Sequence, residues 1–439
     1  MRNLYRETAT LDARSVAQFG LTQALMMEHA AMGMETIIRE RFPLNSSVLI
    51  VCGAGNNGDD GRILARLLEG DYRISTKHTI HERYDVIVDA LFGSGLNRPL
   101  DSLTQELLKC LNSADAFRIA CDVPSGLYAK GTLDPHTFRA DITVTMGALK
   151  CSMFSDAAKE AVGEIVVANL GVSRGRYEIP SPWQLLELTD LQLPHRLQTS
   201  AHKGSYGHLS VICGEKVGAS VIAGSAGLRF GAGLVSLITC ENVLIPHELM
   251  QSHSLPATTT AIALGMGLGA EFCDQELTKL VNNHHPLVLD ADIFYHSMFP
   301  NLLKRNNIVL TPHPKEFTQI LRLTGIADID ATALQNDRFE YAQRFCAAYP
   351  NVVLMLKGAN VIIGHNDHFF INPHGTVALA KGGSGDVLSG LIGALLAQGY
   401  APLDAAIQAS LAHALAAVKS PKNNYALTPF DLIQSVTTL

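Results

Sequence analysis

The sequence predicts an α/β protein whose domains are parallel sheets covered by helices. Three observations carry this. Short apolar runs alternate with helical patterns along the whole chain, the order that strand–helix–strand units impose. Two glycine-rich turns, GAGNNGDDG at 53–61 and KGGSGDVLSG at 381–390, each lead into a helical run. The 439 residues suffice for two or three domains, and 47% hydrophobic against 17% charged residues supplies large buried cores.

In the first part, candidate strands are 48–52, 85–89, 118–122, 142–145 and 164–167. A helical segment at 21–40 precedes them, with Leu21, Leu25, Met32 and Ile37 broadly on one side and methionines that read as core. Residues 171–200 change character: Pro180, Pro182 and Pro194 interrupt them and apolar periodicity is weak. They read as a linker or domain boundary, which puts the domains at 1–195 and 196–439. Beyond it the alternation restarts, with strands at 208–213, 234–239, 261–264, 287–290, 308–311, 352–356, 361–363 and 369–371. Helical runs at 386–398 and 402–419 close the chain.

Composition excludes several classes. The net charge is −7 with no basic block, so nucleic acid and anionic membranes are not expected partners. No apolar run reaches membrane-spanning length, and MRNLYRETAT lacks the apolar stretch of a secretion signal. The eight cysteines (52, 110, 121, 151, 213, 240, 273 and 346) form no CxxC pair, which reads as free thiols in a reducing cytosol.

GAGNNGDDG is neither GxGxxG nor a Walker A loop. Its backbone N–H groups can hold phosphate, and its asparagines add carbonyl oxygens of the kind a hard cation takes. The plainer alternative is a tight turn whose Asn and Asp cap the next helix. Asp89, before ALFGSGLNRPL, and Asp122, before VPSGL, also end predicted parallel strands. Carboxylates at such ends face one crevice, where open α/β sheets bind ligands.

These three motifs, in this order, resemble the NAD(P)H-hydrate epimerase family over about residues 10–170. MMEHAA (26–31) and ADITVTMGALK (140–150) are similar to the family's leading helix and to its later strand and lysine. The resemblance implies a Rossmann-like three-layer αβα domain that interconverts the R and S forms of hydrated NADH or NADPH. It implies potassium at Asn57, Asp89 and Ser125. It implies a hydrate lined by Asn56, Asn57, Gly58, Asp59 and Asp60, by Gly93, Ser94, Gly95, Leu96, Asn97, Arg98 and Pro99, and by Asp122. Asp122 is the expected acid/base group. The chain departs from the family at Asp59, where glycine is usual, and at the short 70–84 segment, which reads as a trimmed lobe with room for little more than a strand.

In KGGSGDVLSG, Gly382 to Gly385 precede a helix and would offer an anion hole for a transferring phosphoryl group. Asp386 at the helix start could take a proton from a substrate hydroxyl. The alternative is a glycine-rich cap. LKGAN (356–360) could run along an adenine nucleotide, and TPHPKE (311–316) puts His313 at a strand end. His313 reads as a substrate contact or a turn histidine; Lys315 and Glu316 read as a solvated face.

With HKG at 202–204, MGLG at 266–269 and DAD at 290–292, these motifs resemble the ADP/ATP-dependent NAD(P)H-hydrate dehydratase family over about 196–439. The resemblance implies a ribokinase-like αβα domain that phosphorylates and dehydrates the S hydrate. Ala219, Gly267, His313 and Asp386 would contact the hydrate, with Asp386 the base. Lys357, Gly358, Ala359, Asn360, Val361 and Gly385 would contact ADP or ATP, with magnesium expected on the nucleotide. MGLG stands in place of PGLG, and the short stretch between Met250 and Ala261 suggests a missing helix. A cytoplasmic, self-associating bifunctional enzyme is the implied whole. The competing reading is a ribokinase-like vitamin or sugar kinase with an N-terminal non-catalytic ligand-binding module.

Overall fold

The computed structural model describes residues 1–78, 83–269, 272 and 274–439. The chain divides into two compact units, Arg2–Gln184 and Leu185–Leu439, with Met1 going to the second.

The first unit is built on six parallel strands: Ser47–Cys52, Arg73–Ser75, Val86–Ala90, Phe117–Cys121, Ile142–Met146 and Glu164–Ala168. In space their order is second, first, third, fourth, fifth, sixth. The strand SVLIVC shows why three layers form. Val48 and Ile50 join the cluster of helices Gln23–Arg41 and Asn56–Leu68. Leu49 and Val51, pointing the opposite way, join Leu108 and Leu111 of helix Ser102–Ser113. Helix Gln23–Arg41 starts later than expected, because Thr22 caps it by accepting the Leu25 N–H at 3.2 Å. Its buried face is Met26, Ala30, Ala31, Met34, Ile37 and Ile38. Leu25 and Met32, assigned to that face from the sequence, are exposed. Alanines allow the close packing that the bulkier residues would block.

Among its described residues the second unit is built on nine strands, in the spatial order third, second, first, fourth and onward to the ninth. They are His208–Ile212, Leu234–Ile238, Met250–Ser252, Ala261–Leu264, Leu287–Leu289, Ile308–Leu310, Val352–Leu356, Val361–His365 and His368–Asn372. The first seven are parallel, and the last two form an antiparallel hairpin with Asn366 in the left-handed region at its turn. On one face Val211, Val288, Val309, Val353 and Met355 meet helices Val217–Arg229, Ser384–Ala397, Pro402–Lys419 and Pro429–Val436. Elsewhere in the unit, Phe317 of helix Pro314–Leu323 and Phe345 of helix Arg338–Ala348 meet edge-on, ring centroids 5.6 Å apart.

Both units place a switch in strand order where ligands of open α/β sheets bind, at the carboxyl ends. In the first it lies between Ser47–Cys52 and Val86–Ala90; in the second, between His208–Ile212 and Ala261–Leu264.

The 171–200 stretch begins with a helical turn, Arg174–Tyr177, and buried Tyr177 joins an apolar cluster with Tyr5, Leu11 and Leu21. Proline spacing hid that packing. The 70–84 segment contains the strand Arg73–Ser75, while its residues 79–82 lie outside the described residues, as does Cys273. Among the described cysteines, Cys52, Cys110, Cys121, Cys151 and Cys346 are free thiols. Between Met250 and Ala261 there is a three-residue strand and no helix. No described helix is long and apolar enough to cross a membrane.

The helix that follows the second glycine turn is held at close range. A Cβ on Gly390 would lie 2.2 Å from the Ala223 carbonyl oxygen and 2.8 Å from the Ala226 Cβ. Gly390→Ala therefore forces two backbones apart. The expected cost is about 1–3 kcal/mol, read as a lower urea midpoint for the second unit.

Candidate active sites

In the first unit, the turn after strand Ser47–Cys52 enters helix Asn56–Leu68 through Gly55. The turn is tight because backbone touches backbone. A Cβ on Gly58 would sit 1.9 Å from the Gly53 oxygen, and one on Gly53 would sit 2.0 Å from the Leu91 oxygen. Only glycine permits both approaches. Asn57 and Asp60 are thereby buried, whereas Asn56 is exposed. Asp59 is drawn away to an ion pair with Arg62 at 2.6 Å, and Arg62 also donates to the Gly53 oxygen at 3.0 Å. The charge that replaces the usual glycine is thus answered locally.

Asp122 follows strand Phe117–Cys121 with φ at +68°, a left-handed conformation that costs energy for a residue with a Cβ. That geometry aims its carboxylate at three donors. Lys150 Nζ approaches Oδ1 at 2.6 Å, the Ser94 N–H donates to Oδ2 at 2.9 Å, and the Met146 N–H reaches Oδ1 at 3.3 Å. Burial works to raise the Asp122 pKa, but Lys150 and these hydrogen bonds outweigh it and hold the carboxyl below its ordinary value. Asp60 behaves oppositely. Burial, then the charges of Asp122, Asp59 and Asp12, push it up to about 7, and among the described residues its Oδ1 has no hydrogen-bond partner. Asp12 accepts the Tyr177 hydroxyl at 2.6 Å, and Lys150 and Asp122 are among its electrostatic neighbours.

Asp89 is fully buried. Its oxygens accept the Ser125 N–H at 2.8 Å, the Ser125 hydroxyl at 2.7 Å and the Leu91 N–H at 3.1 Å. Burial pushes its pKa up to about 6. Among the described residues no basic side chain pairs with it. The Asn57 Oδ1 lies 3.3 Å from where a Gly93 Cβ would be, and an Asp122 oxygen lies 3.0 Å from the same point. Asn57, Gly93 and Asp122 therefore meet. A buried carboxylate met only by neutral donors, beside the Ser125 hydroxyl oxygen, offers oxygen atoms of the kind a hard cation takes. In the 93–99 loop, Gly95, Asn97, Arg98 and Pro99 are exposed, while Leu96 is buried in the apolar cluster of helix Ser102–Ser113.

In the second unit the centre is Asp290, which ends strand Leu287–Leu289 and is nearly inaccessible. Lys357 Nζ lies 2.8 Å from its Oδ1, and the Ser389 hydroxyl donates to its Oδ2 at 2.9 Å. Burial works against the Lys357 charge, yet Asp290 and Glu316 outweigh it and raise its pKa. Ala291, at φ +52°, bends the chain so that Asp292 accepts the Gly269 N–H at 2.9 Å. This fastens the loop holding Gly267, whose added Cβ would lie 3.1 Å from the Ala219 side chain. Gly267 and Ala219 are thus neighbours. A cavity of about 360 Å³ opens beside them, lined by Lys216, Gly269, Asp292, Tyr295 and His296.

The glycine turn closes on the same centre. A Cβ on Gly385 would lie 3.5 Å from Lys357 Nζ and 3.6 Å from an Asp290 oxygen. Asp386, in the first turn of helix Ser384–Ala397, is pushed up to about 6 by burial and by Asp290, against Lys357. His313 caps helix Pro314–Leu323: its Nδ1 accepts the Glu316 N–H at 3.2 Å, and a Glu316 oxygen accepts the His313 N–H at 2.8 Å. Glu316 is buried, not solvated as the sequence reading had it, because the capping box folds it inward to within 4.0 Å of Lys357. Burial pushes it up to about 7. Gly358 and Ala359 are exposed, Asn360 is buried and Val361 half-buried.

Sequence reasoning did not single out Asp12, Tyr177, Ser389 or His413. It noted Lys150 and the DAD motif without giving Lys150 or Asp290 a role. Asp12, Tyr177 and His413 stand far in sequence from every motif, so no local pattern marks them.

Residues 209–438 match the family described as NAD(P)H-hydrate dehydratase. Residues 23–81 and 72–152 match the family described as YjeF-related protein N-terminus. The bifunctional NAD(P)H-hydrate repair enzyme Nnr of Helicobacter pylori is 41% identical over a 476-residue alignment that covers 100% of both chains. The enzyme of the same description from Escherichia coli K12 is 33% identical over 91% of this chain and 85% of its own. Among solved structures, a ribokinase-like superfamily protein from Enterococcus faecalis V583 superposes with a TM-score of 0.50 at 22% identity, over 60% of this chain and 96% of that one, a likeness of fold. This chain belongs to the bifunctional NAD(P)H-hydrate repair enzyme family.

Proposed function

We propose that this chain restores hydrated NADH and NADPH: the first unit interconverts the R and S hydrates, and the second dehydrates the S hydrate at the expense of ADP or ATP. The observation that carries the reading is the convergence of Gly385, Asp386, Lys357 and Asp290 at a helix N-terminus. There, backbone N–H groups and an ammonium face developing phosphate charge, and a half-buried carboxylate stands ready to accept a proton. Asp386 takes the proton of the ring hydroxyl as the hydroxyl oxygen bonds to the terminal phosphorus of the nucleotide, whose bond to the bridging oxygen breaks and releases ADP from ATP or AMP from ADP. Phosphate then leaves with the carbon–oxygen bonding pair, a proton departs from the adjacent ring carbon, and the double bond returns. Hydroxide, a poor leaving group, has become a good one.

In this reading Ala219, Gly267 and His313 contact the hydrate, and Lys357 to Val361 with Gly385 contact the nucleotide, whose phosphates bring magnesium. In the first unit Asn56 to Asp60, Gly93 to Pro99 and Asp122 line the hydrate, and Asn57, Asp89 and Ser125 hold potassium. The ion supplies positive charge beside the substrate. The uncompensated burial of Asp89 supports it. A cytosolic location and self-association complete the proposal, the first supported by cysteines that are scattered along the sequence with no CxxC pair.

Recovery of reduced-nicotinamide absorbance from a mixed R/S hydrate, with ADP and then ATP, tests both halves. Recovery beyond the S fraction, faster than spontaneous epimerisation, is expected. A stable phosphoester in its place would favour a vitamin or sugar kinase. Asp122→Ala should confine rapid recovery to the S fraction.

Asp386 works only when ionised, and its pKa is pushed up to about 6. Dehydratase kcat/KM should therefore hold at higher pH and fall about tenfold per pH unit below that value. Asp386→Asn should lose about 10²-fold or more. For potassium, exchange for choline at equal ionic strength should slow epimerisation several-fold, and Asp89→Asn should abolish that response.

A further inference from the structure

Helix Pro402–Lys419 buries a face of Ala405, Ala406, Ala409, Ala412 and Ala416, and within it one titratable side chain, His413. Burying an imidazole among methyl groups is unfavourable unless its polar atoms are engaged. Its Nε2 lies 3.0 Å from the Ser384 carbonyl oxygen and 3.3 Å from the Ser384 hydroxyl. A carbonyl oxygen only accepts, so Nε2 carries the hydrogen and donates to it, with the hydroxyl as a second acceptor. Burial pushes the imidazole pKa down to about 4, so the ring stays neutral in this role.

Ser384 is the first residue of the helix that carries Gly385 and Asp386, directly after Gly383 at φ +88°. Gly382 has open space around it, and three glycines within four positions leave this turn many conformations. Outside contacts must select one. Lys381 donates to the Tyr425 oxygen at 2.9 Å on the exposed side. His413 grips the turn from the buried side.

We propose that His413 is a positioning residue for the dehydratase: its Nε2–H bond to Ser384 sets where the Gly385 N–H and the Asp386 carboxylate stand relative to Lys357 and Asp290. This rests on the dehydratase reading above. The hydrogen bond acts on the geometry of phosphoryl transfer, where a misplacement of about 1 Å can cost about 10²-fold. The cavity beside Gly267 and Ala219 is lined by Lys216, Gly269, Asp292, Tyr295 and His296 and by no residue of this turn, whose contact with the hydrate in that reading is Asp386 alone, so the loss should fall on kcat more than on KM.

The test compares wild type, His413→Ala and His413→Gln in the full chain. Glutamine keeps an N–H donor at about the reach of Nε2. His413→Ala should lower dehydratase kcat about 10- to 100-fold, leave KM for the hydrate within about twofold, leave epimerisation unchanged, and speed amide hydrogen exchange at 382–386. His413→Gln should restore most of kcat and the slow exchange. An alanine variant with wild-type kcat and exchange overturns the proposal. So does a glutamine variant as slow as alanine while melting like wild type. If wild type itself shows no dehydration, the functional reading fails, and the exchange comparison still decides whether His413 orders the turn.

Discussion

Each unit is organised by a carboxylate at a strand end that had to find positive charge inside the protein. In the first unit Asp122 meets Lys150 at 2.6 Å; in the second Asp290 meets Lys357 at 2.8 Å. A buried pair of this kind contributes little net stability, since desolvation of both ions offsets their attraction. Removing one partner is different, and typically costs about 3–5 kcal/mol because a charge is left buried alone. The pairs therefore act as constraints. They fix where each lysine stands, and with it the loops that bring neighbouring groups to the sheet edge.

The remaining carboxylates are tuned against these pairs. Asp122, answered by Lys150, is held low, while Asp60 nearby is pushed up to about 7 by burial and like charge. Asp386 and Glu316 are likewise pushed up around the Asp290–Lys357 pair. Groups with separated pKa values in one crevice are the means by which a protein keeps one carboxyl ionised and another ready to hold a proton. Asp89 has only neutral donors among the described residues, and so differs from both paired aspartates.

Close backbone approach is the other condition. Gly53 and Gly58 let the first turn lie against its neighbours, and Gly390 lets the helix behind the second turn press against the Ala223 carbonyl. Without those contacts the side chains of Asn57 and Asp386 would be displaced outward. The strained φ values of Asp122 and Ala291 are held by the same surroundings, through hydrogen bonds that accept no other direction.

The sequence by itself determined the architecture and the motifs. Runs such as Val48–Val51 and Val352–Leu356 are apolar on both faces, which only a sheet covered on both sides requires, and strand-end Asp with adjacent Gly is a local pattern. Asp122 and Asp89 were legible for that reason, and Asp386 by its place at a helix start after a glycine-rich turn. The tertiary structure decided the rest. Which face of helix Gln23–Arg41 is buried depended on which partners lay across from it. Whether Glu316 faced water depended on a capping bond and on Lys357, 41 positions further along the chain. That His413 grips Ser384 depended on two helices meeting. Charge pairing and hydrogen bonding act over a few ångströms in space, and sequence periodicity carries no record of which distant residues arrive there.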